Sequence, residues 1–493
     1  MLQFLILLPF FLTLFFIFFP KSSKLPPGPW KLPLIGNLHN LAGDLPHRAL
    51  QRLSLKYGPL MHVRLGQLSA VVVSSPDAAR EVLRTHDVKF ATRPRIVVAE
   101  IMLYGCNSIS FSPPGEYWRH LRKICTSELL TAKRVQSFRS LRKHVFSDLV
   151  RRIVSSEGSP VDLTELLHST SYDYTTRTAL GTETEKHKRF LAIVTEAFGL
   201  ATGLDITELF PSIKLLQRFS GLRNRLMVLH READAILDEI IRQHEESDQK
   251  QGQEDLVDVL LKSRRDAGVE LALTTDNMKA IILDVLGAGS ETAAGTMDWA
   301  MAEMLKNRQV LEKAQEEVRQ VFDKQGGFID ESSIPELKYL KLIIKETLRL
   351  HAPVPLLLPR KCEQRCEIMG YEIPEETKIM VNTWAINRDP KYWSDPQSFK
   401  PERFLDSPVD YKGNHFEYTP FRSGRRVCLG IVFAITNVEL SLALLLYHFF
   451  DWKLPQGLNP EEMKMTEGAG LTARRANHLF FVLPVVKRPL LVE

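Results

Sequence analysis

The sequence predicts a mainly α-helical protein with a minor β part, in which one large domain follows a membrane-anchoring helix. Three observations support this fold class. The first twenty residues are almost wholly apolar, and helical patterns dominate from Trp118 to about residue 350. Short β-rich runs flank that helical region, from Met61 to Ser74 and from Glu363 to Val381. A few short strands beside many helices indicate a small sheet at the edge of a helical body.

The N-terminal segment has the length and composition of a membrane anchor. As a helix, Leu2 to Phe19 would extend about 27 Å, which matches the thickness of a thin bilayer core. Lys21 and Lys24 follow at once, so the positive-inside rule places the remaining chain in the cytosol. A cleaved secretory signal is the alternative, but the segment lacks a basic start and a small-residue cleavage site. We therefore predict an anchor over residues 1–20 in the endoplasmic reticulum membrane.

Residues 21–36 form a basic and proline-rich hinge in this interpretation. Its run Leu25-Pro-Pro-Gly-Pro29 cannot be helical, which predicts a stiff spacer between the anchor and a single domain over residues 37–493.

Composition argues against several classes of function. The 64 basic and 59 acidic residues are mixed along the chain, so no nucleic-acid partner is expected. Five cysteines in 493 residues are too few for a disulfide framework, which favours a reducing compartment. Cys362 and Cys366 are close in sequence, but no second ligand pair accompanies them, so we expect no zinc site.

The stretch from Thr275 to about Asn307 is a long helical pattern interrupted by three glycines. Each glycine lowers helix stability by about 1 kcal/mol relative to alanine, so another group is expected to approach the backbone closely there. Glu291 and Thr292 form a polar pair in this otherwise apolar stretch. An acid beside an alcohol can relay protons to a buried reacting atom. A helix kink with a capping threonine is the alternative.

A second pattern pairs Glu346 with Arg349 on one face of a helix that begins near Leu337. Arg403, in the later run Pro-Glu-Arg-Phe, could join them in a buried network between this helix and a loop. A solvated surface pair is the alternative.

The third pattern is "FRSGRRVCLG" at residues 421–430, directly before an apolar helical run. Gly424 and Gly430 allow a tight backbone path around Cys428. A cysteine near a helix N-terminus and arginines has its thiolate favoured. Since no histidine accompanies it as a base, ligation of a cofactor metal is a better interpretation than nucleophilic catalysis, and axial ligation of haem iron is the natural candidate. A buried structural cysteine is the alternative.

Taken together, these patterns resemble the cytochrome P450 family of haem-thiolate monooxygenases, over essentially the whole chain. The matching positions are Phe421, Gly424, Arg426, Cys428 and Gly430 in the haem loop, Ala288 to Thr292 in the long helix, Glu346 with Arg349, Pro401 to Phe404, Trp118 with Arg122, and the hinge prolines. The departures are Arg422 and Ser423 where small residues are usual, Leu429 where proline is frequent, and Ala293 where a hydroxyl residue often follows the threonine.

The resemblance implies a haem b cofactor and a role for each matching residue. Cys428 would be the axial ligand of the iron, while Glu291 and Thr292 would deliver protons to the reacting oxygen. The other residues implied in cofactor binding are Trp118, Arg122, Arg360 and Arg426 at the propionates, with Phe421, Gly424 and Gly430 shaping the loop. The implied structural network is Glu346, Arg349 and Arg403.

The run from His351 to Arg360 looks most like plant microsomal members that oxidise specialised metabolites. The family's substrate segments include the region from Phe198 to Phe210, and they would supply an apolar wall from Ile101, Met102, Ile109, Leu286, Ala288, Val354 and Leu471. A lipophilic substrate follows, with a terpenoid favoured and an indole alkaloid or phenylpropanoid as alternatives. A haem-thiolate isomerase or dehydratase, or a non-enzymatic haem sensor, is less favoured because it needs neither the proton relay nor a reductase.

The resemblance also implies dioxygen as co-substrate and NADPH as the electron source, used through NADPH-cytochrome P450 reductase. A basic stretch suits an acidic partner of this kind, although ordinary surface charge is the alternative. The stretch consists of Arg119, Lys123, Arg134, Arg139, Arg142 and Lys143.

Overall fold

The structure is a computed structural model, and it describes residues 24–156, 159–181, 185–201, 205–246, 254–266, 273–327, 329–450, 452–455 and 458–482. The predicted anchor over residues 1–20 lies outside these residues. Within the described chain, Ile431–His448 is the one helix whose length and hydropathy would allow it to cross a membrane, and most of it is buried inside the domain.

Helices make up most of the described chain, as predicted. In chain order they are α1 (Pro46–Tyr57), α2 (Pro76–Arg80), α3 (Val97–Met102), α4 (Glu116–Ile124), α5 (Ala132–Ser137), α6 (Arg139–Ser155), α7 (Leu163–Leu180), α8 (Glu185–Gly199), α9 (Ile206–Leu209), α10 (Lys214–Phe219), α11 (Gly221–Glu246), α12 (Leu256–Asp266), α13 (Thr275–Lys306), α14 (Arg308–Asp323), α15 (Lys338–Leu350), α16 (Thr383–Ile386) and α17 (Ile431–His448).

The β part consists of small sheets at the edge of the helical body. The strands are β1 (Leu60–Leu65), β2 (Leu68–Val73), β3 (Pro160–Asp162), β4 (Arg360–Lys361), β5 (Cys366–Ile368), β6 (Tyr371–Ile373), β7 (Lys378–Val381) and β8 (Phe480–Val482). The four-stranded sheet has the order β1-β2-β7-β4, in which β2 and β7 are parallel and the other two pairs are antiparallel. The pairs β3–β8 and β5–β6 form antiparallel ribbons.

Helix α13 runs through the middle of the domain and joins two hydrophobic clusters. Its first half, from Met278 to Leu286, packs with α8, α11 and α12, and its second half, from Ala293 to Leu305, packs with α6, α7, α14, α15 and α17. A capping box starts the helix, because Thr274 accepts a hydrogen bond from the Asn277 amide and Asn277 accepts one in return. The segment with Glu291 and Thr292 therefore lies between two cores.

The predicted network around Glu346 is confirmed. The Glu346 carboxylate accepts two hydrogen bonds of 2.8 Å from Arg349, one of 2.9 Å from Nε of Arg403 and one of 2.8 Å from the Lys400 amide. The side chains of Glu346 and Arg349 are fully buried. Arg349 also donates to the main-chain carbonyls of residues 387, 396 and 398. One carboxylate thus ties α15 to the loop that leads toward Cys428.

Only part of the predicted basic stretch is accessible at the protein surface. Arg142 was expected to be exposed, but it is buried because its guanidinium binds Glu331 and Tyr174 inside the fold. Arg134 pairs with Glu254, and Arg139 pairs with Asp330. Arg119 and Lys123 lie exposed on α4.

We predict that Glu346→Gln lowers the free energy of unfolding by about 3–5 kcal/mol, because two buried guanidinium groups lose their counter-charge. Urea unfolding followed by tryptophan fluorescence measures this change. Glu312→Gln is the matched control, since Glu312 pairs with Arg308 at the surface, where both side chains are more than half exposed. The control should change the free energy by less than about 1 kcal/mol. Equal effects of the two substitutions would contradict the structural role.

Candidate active site

A cavity of about 280 Å³ lies where α13, α7, α8 and the loop before α17 meet. Cys428 and Phe421 line it on the side of that loop, and Ala288 and Thr292 line it on the side of α13. Most of the remaining wall is apolar. The sequence motifs singled out above therefore converge on a single space.

The loop around Cys428 is tightly folded. The Cys428 amide donates to the Phe421 carbonyl at 3.0 Å, and Gly430 is the N-cap of α17. Gly424 has φ +72°, and a Cβ there would lie 2.1 Å from the carbonyl oxygen of Leu83, so only glycine fits. Gly424 thus shapes the loop, as predicted, although it does not line the cavity.

The thiol of Cys428 differs from the expectation of a free thiolate. Burial raises its pKa, and the Arg422 guanidinium and the Gly430 amide oppose this effect without reversing it. The described residues in the cavity wall include no histidine that could act as a base. Cys428 therefore suits ligation, since a metal displaces the proton, and not nucleophilic attack.

Arginine side chains gather at the Cys428 end of the cavity. They are Arg93, Arg122, Arg422 and Arg426. Burial, followed by mutual repulsion, lowers the pKa of Arg426 to about 9, and burial lowers that of Arg422 to about 10. None of the four makes an ion pair with a carboxylate of the described residues, and Nη2 of Arg93 is buried without a hydrogen-bond partner. Such a cluster is suited to binding an anion.

Haem b fits this end of the cavity. Its two propionates would supply the missing carboxylates, which arginine binds with paired hydrogen bonds. Trp118 and Arg426 are already oriented together, because both donate to the Ile109 carbonyl at 3.1 Å and the guanidinium stacks over the indole. Cys428 would supply the thiolate ligand. The chemistry of the donor set therefore agrees with a haem-thiolate site.

Arg360, which the family resemblance assigns to a propionate, contacts the loop around Cys428 in the structure. Its guanidinium lies outside the cavity wall, donating to Asp87 at 2.8 Å and to the Ser423 carbonyl at 3.2 Å. Asp87 in turn accepts from the Arg425 amide at 2.8 Å. Arg360 therefore anchors the loop around Cys428, and its guanidinium is paired with Asp87.

Two arginines on the cavity wall were not predicted from the sequence. Arg93 follows no motif spacing, and its only signal is a charge beside a proline in a mostly apolar run. Arg422 was noted as a departure from the family pattern, and it adopts φ +70°, the left-handed region that favours glycine. Arg422 thus adds a cation and a strained backbone conformation to the cavity wall.

The polar pair on α13 lies at the cavity edge, where Glu291 is buried and Thr292 is partly exposed. Thr292 lines the cavity and donates to the Ala288 carbonyl at 2.8 Å. The Glu291 carboxylate accepts from Tyr172 at 3.2 Å, lies 3.5 Å from His168 Nδ1 and pairs with Arg474. Burial would raise the pKa of Glu291, but His168 and Arg474 together hold it below its usual value. Glu291 is therefore ionised at neutral pH and lies beside the partly exposed side chains of His168 and Arg474.

The predicted apolar wall is correct at Ile109, Ala288, Val354 and Leu471, which line the cavity. It is wrong at Ile101, Met102 and Leu286, which pack in or against the adjacent hydrophobic cluster. For Leu286 the reason is helical geometry, because a residue two positions from Ala288 points about 200° away from it. The α13 residues that do line the wall are Asp284, Val285, Gly287, Ala288, Gly289, Glu291 and Thr292. Sequence reasoning named the region of Phe198 without selecting the residue.

We predict that Arg93→Leu weakens haem retention by about 10- to 100-fold, because the cavity loses a charge-assisted hydrogen bond to a carboxylate. Transfer of haem from the purified protein to apomyoglobin measures retention directly. Arg95→Leu is the matched control, since Arg95 lies two residues further on and is exposed. Equal transfer rates for both variants would remove Arg93 from the site.

The comparisons with known proteins agree with this geometry. The family model "Cytochrome P450" matches residues 26–480. Salviol synthase from Salvia pomifera is 54% identical over 488 residues, covering 97% of both chains, and premnaspirodiene oxygenase from Hyoscyamus muticus is 49% identical over 494 residues, covering 97% of this chain and 98% of the relative. A zebra fish cytochrome P450 solved with progesterone superposes with a TM-score of 0.76 at 25% identity, covering 90% of this chain and all of that one. The chain therefore belongs to the cytochrome P450 family of haem-thiolate monooxygenases.

Proposed function

We propose that this monooxygenase inserts one oxygen atom from dioxygen into a lipophilic plant specialised metabolite of the terpenoid class. The observation that carries the proposal is the cavity itself, in which a largely apolar wall connects Cys428 at one end with Thr292 on α13. An apolar wall selects a substrate with few charges. An indole alkaloid or a phenylpropanoid would satisfy the same wall, so these remain the alternatives.

The polar side chains near the substrate region are already engaged. The Asp284 carboxylate accepts from the Ser110 amide at 2.8 Å, and burial raises its pKa. Thr175 donates to the Ser171 carbonyl at 2.8 Å. Because these groups are satisfied within the protein, they give little binding energy to a strongly polar ligand. The names of salviol synthase and premnaspirodiene oxygenase also favour a terpenoid substrate for this chain.

The protein's own groups have distinct roles in the proposal. Bound haem would supply the activation of dioxygen, and Cys428 would hold its iron through the thiolate. Thr292 would hold a hydroxyl at the cavity edge, where it can donate a hydrogen bond toward the reacting oxygen. Glu291 would pass protons to this position from the solvent side, where His168 and Arg474 contact its carboxylate.

A membrane location is also part of the proposal. Trp30 and Leu34, both in the hinge, are 73% and 88% exposed, and Leu215 on α10 is 65% exposed. The β1–β2 turn joins the two segments, since the Gly66 amide donates to the Ile35 carbonyl and the Gln67 amide to the Leu209 carbonyl. Adjacent exposed apolar side chains that continue from a predicted anchor support contact with the bilayer surface.

Electrons would come from NADPH through a separate reductase. Arg119 and Lys123 support this proposal, because they are exposed on α4, the helix that also carries Trp118 and Arg122 at the Cys428 end of the cavity. An acidic flavoprotein docked there would approach the cofactor from its thiolate side.

The experiment that tests the function uses the full chain in reductase-containing vesicles with NADPH. The reduced carbon monoxide spectrum first shows whether the iron has a thiolate ligand, and Cys428→His should abolish its red-shifted Soret band. Sesquiterpene and diterpene substrates are then compared with indole alkaloids and phenylpropanoids by mass spectrometry. Addition of one oxygen atom to a terpenoid supports the proposal, and oxidation confined to another class overturns the terpenoid assignment.

We predict that Thr292→Val lowers the product formed per NADPH consumed by about tenfold or more, with the missing electrons recovered as hydrogen peroxide, because proton transfer loses its hydroxyl. Thr296→Val is the matched control. Thr296 makes the same hydrogen bond to a carbonyl one turn back, at 2.8 Å, but it does not line the cavity. Equal coupling of NADPH oxidation to product in both variants would remove Thr292 from the proton path.

A further inference from the structure

The three glycines of α13 have different surroundings. A Cβ added at Gly287 would lie 2.4 Å from two ring carbons of Phe198 and 2.6 Å from a third. At Gly289 the nearest neighbour would be Thr175 Cγ2 at 3.4 Å, and at Gly295 nothing lies within 4 Å. Since glycine lowers helix stability relative to alanine, Gly287 is the position where close approach by another group accounts for it.

Phe198 lies near the C-terminal end of α8, and its ring rests directly on the α13 backbone. Both Phe198 and Gly287 line the cavity. Gly287 precedes Thr292 by five residues, which is about 7.5 Å along a helix axis. The ring therefore limits the cavity about one and a half turns from the hydroxyl at which oxidation is proposed.

Main-chain hydrogen bonds connect the backbone of Phe198 to two other wall segments. The Ala201 amide donates to the Phe198 carbonyl at 3.1 Å, and the Ala201 carbonyl accepts from the Leu471 amide at 3.1 Å. The Ala473 amide then donates to the Pro353 carbonyl at 2.9 Å, next to Val354. The Phe198 ring thus packs against Gly287. Its backbone is linked through Ala201 to the turn that carries Leu471.

We propose that Phe198, seated on Gly287, forms the ceiling of the substrate cavity and sets the size of the skeleton that the site accepts. This inference rests on the proposed function, and it adds that the substrate is a compact, rigid hydrocarbon skeleton lying between the Phe198 ring and the Cys428 end. Phe198 is a specificity-determining residue in this proposal. Gly287 is a positioning residue that acts through the ring.

Imidazoles that carry one, two or three phenyl rings provide a test that does not depend on the natural substrate. They ligate the iron of the holoenzyme, and the red shift of the Soret band reports their affinity. Gly287→Ala should push the ring into the cavity, weakening the three-ring imidazole at least tenfold and the one-ring imidazole less than threefold. Phe198→Ala should strengthen the three-ring imidazole relative to the one-ring compound. Gly295→Ala is the matched control and should change neither affinity.

The double variant Phe198→Ala/Gly287→Ala decides whether the two residues act together. Without the ring, the added methyl group meets nothing, so Gly287→Ala should change affinity by less than twofold in the Phe198→Ala background. If Gly287→Ala alone loses haem, the double variant should regain it. The inference is overturned if Gly287→Ala leaves the three-ring affinity within twofold of the parent, or if its effect persists without Phe198. Size selection among imidazoles without terpenoid oxidation would contradict the proposed function and leave this inference intact.

Discussion

The buried Glu346 carboxylate is the interaction on which the active end of the domain depends. It accepts hydrogen bonds from Arg349, from Arg403 and from the Lys400 amide, and so fixes a long irregular segment against α15. That segment leads into the loop around Cys428. Ordering a segment of this length costs considerable conformational entropy, and these hydrogen bonds offset that cost. The buried ion pairs therefore convert a flexible connection into a support for the cysteine.

Charged side chains at the Cys428 end of the cavity are paired differently from those around Glu346. Around Glu346 two guanidinium groups share one carboxylate, whereas four arginines at the cavity have no ion-pair partner among the described carboxylates. This end of the cavity is therefore suited to an anionic cofactor. The apolar half of the cavity needs no such partner, since its polar groups are bonded to the protein. The cavity therefore has a cationic end suited to the cofactor and an apolar part suited to the substrate.

Helix α13 connects the two hydrophobic clusters of the domain, because its residues belong to both. Its glycines were a sequence signal for close approach by another group, and at Gly287 that group is the Phe198 ring. No spacing rule could have identified Phe198, which lies on another helix about ninety residues earlier in the chain. The same limit explains Leu286, whose apolar character is evident while the face it occupies depends on how α13 is rotated in the domain.

The sequence by itself predicted the mainly α-helical fold, the family and the Glu346 network, and it pointed to Cys428 and Thr292 as candidate site residues, because these depend on residue types at short, fixed spacings. The tertiary structure decided which arginines line the cavity. Arg360 had the expected sequence context, yet it pairs with Asp87 outside the cavity wall, while Arg93 has no motif and lines the wall. The physical reason is that the role of a charged side chain depends on its nearest partners. Those partners come from segments that only folding brings together.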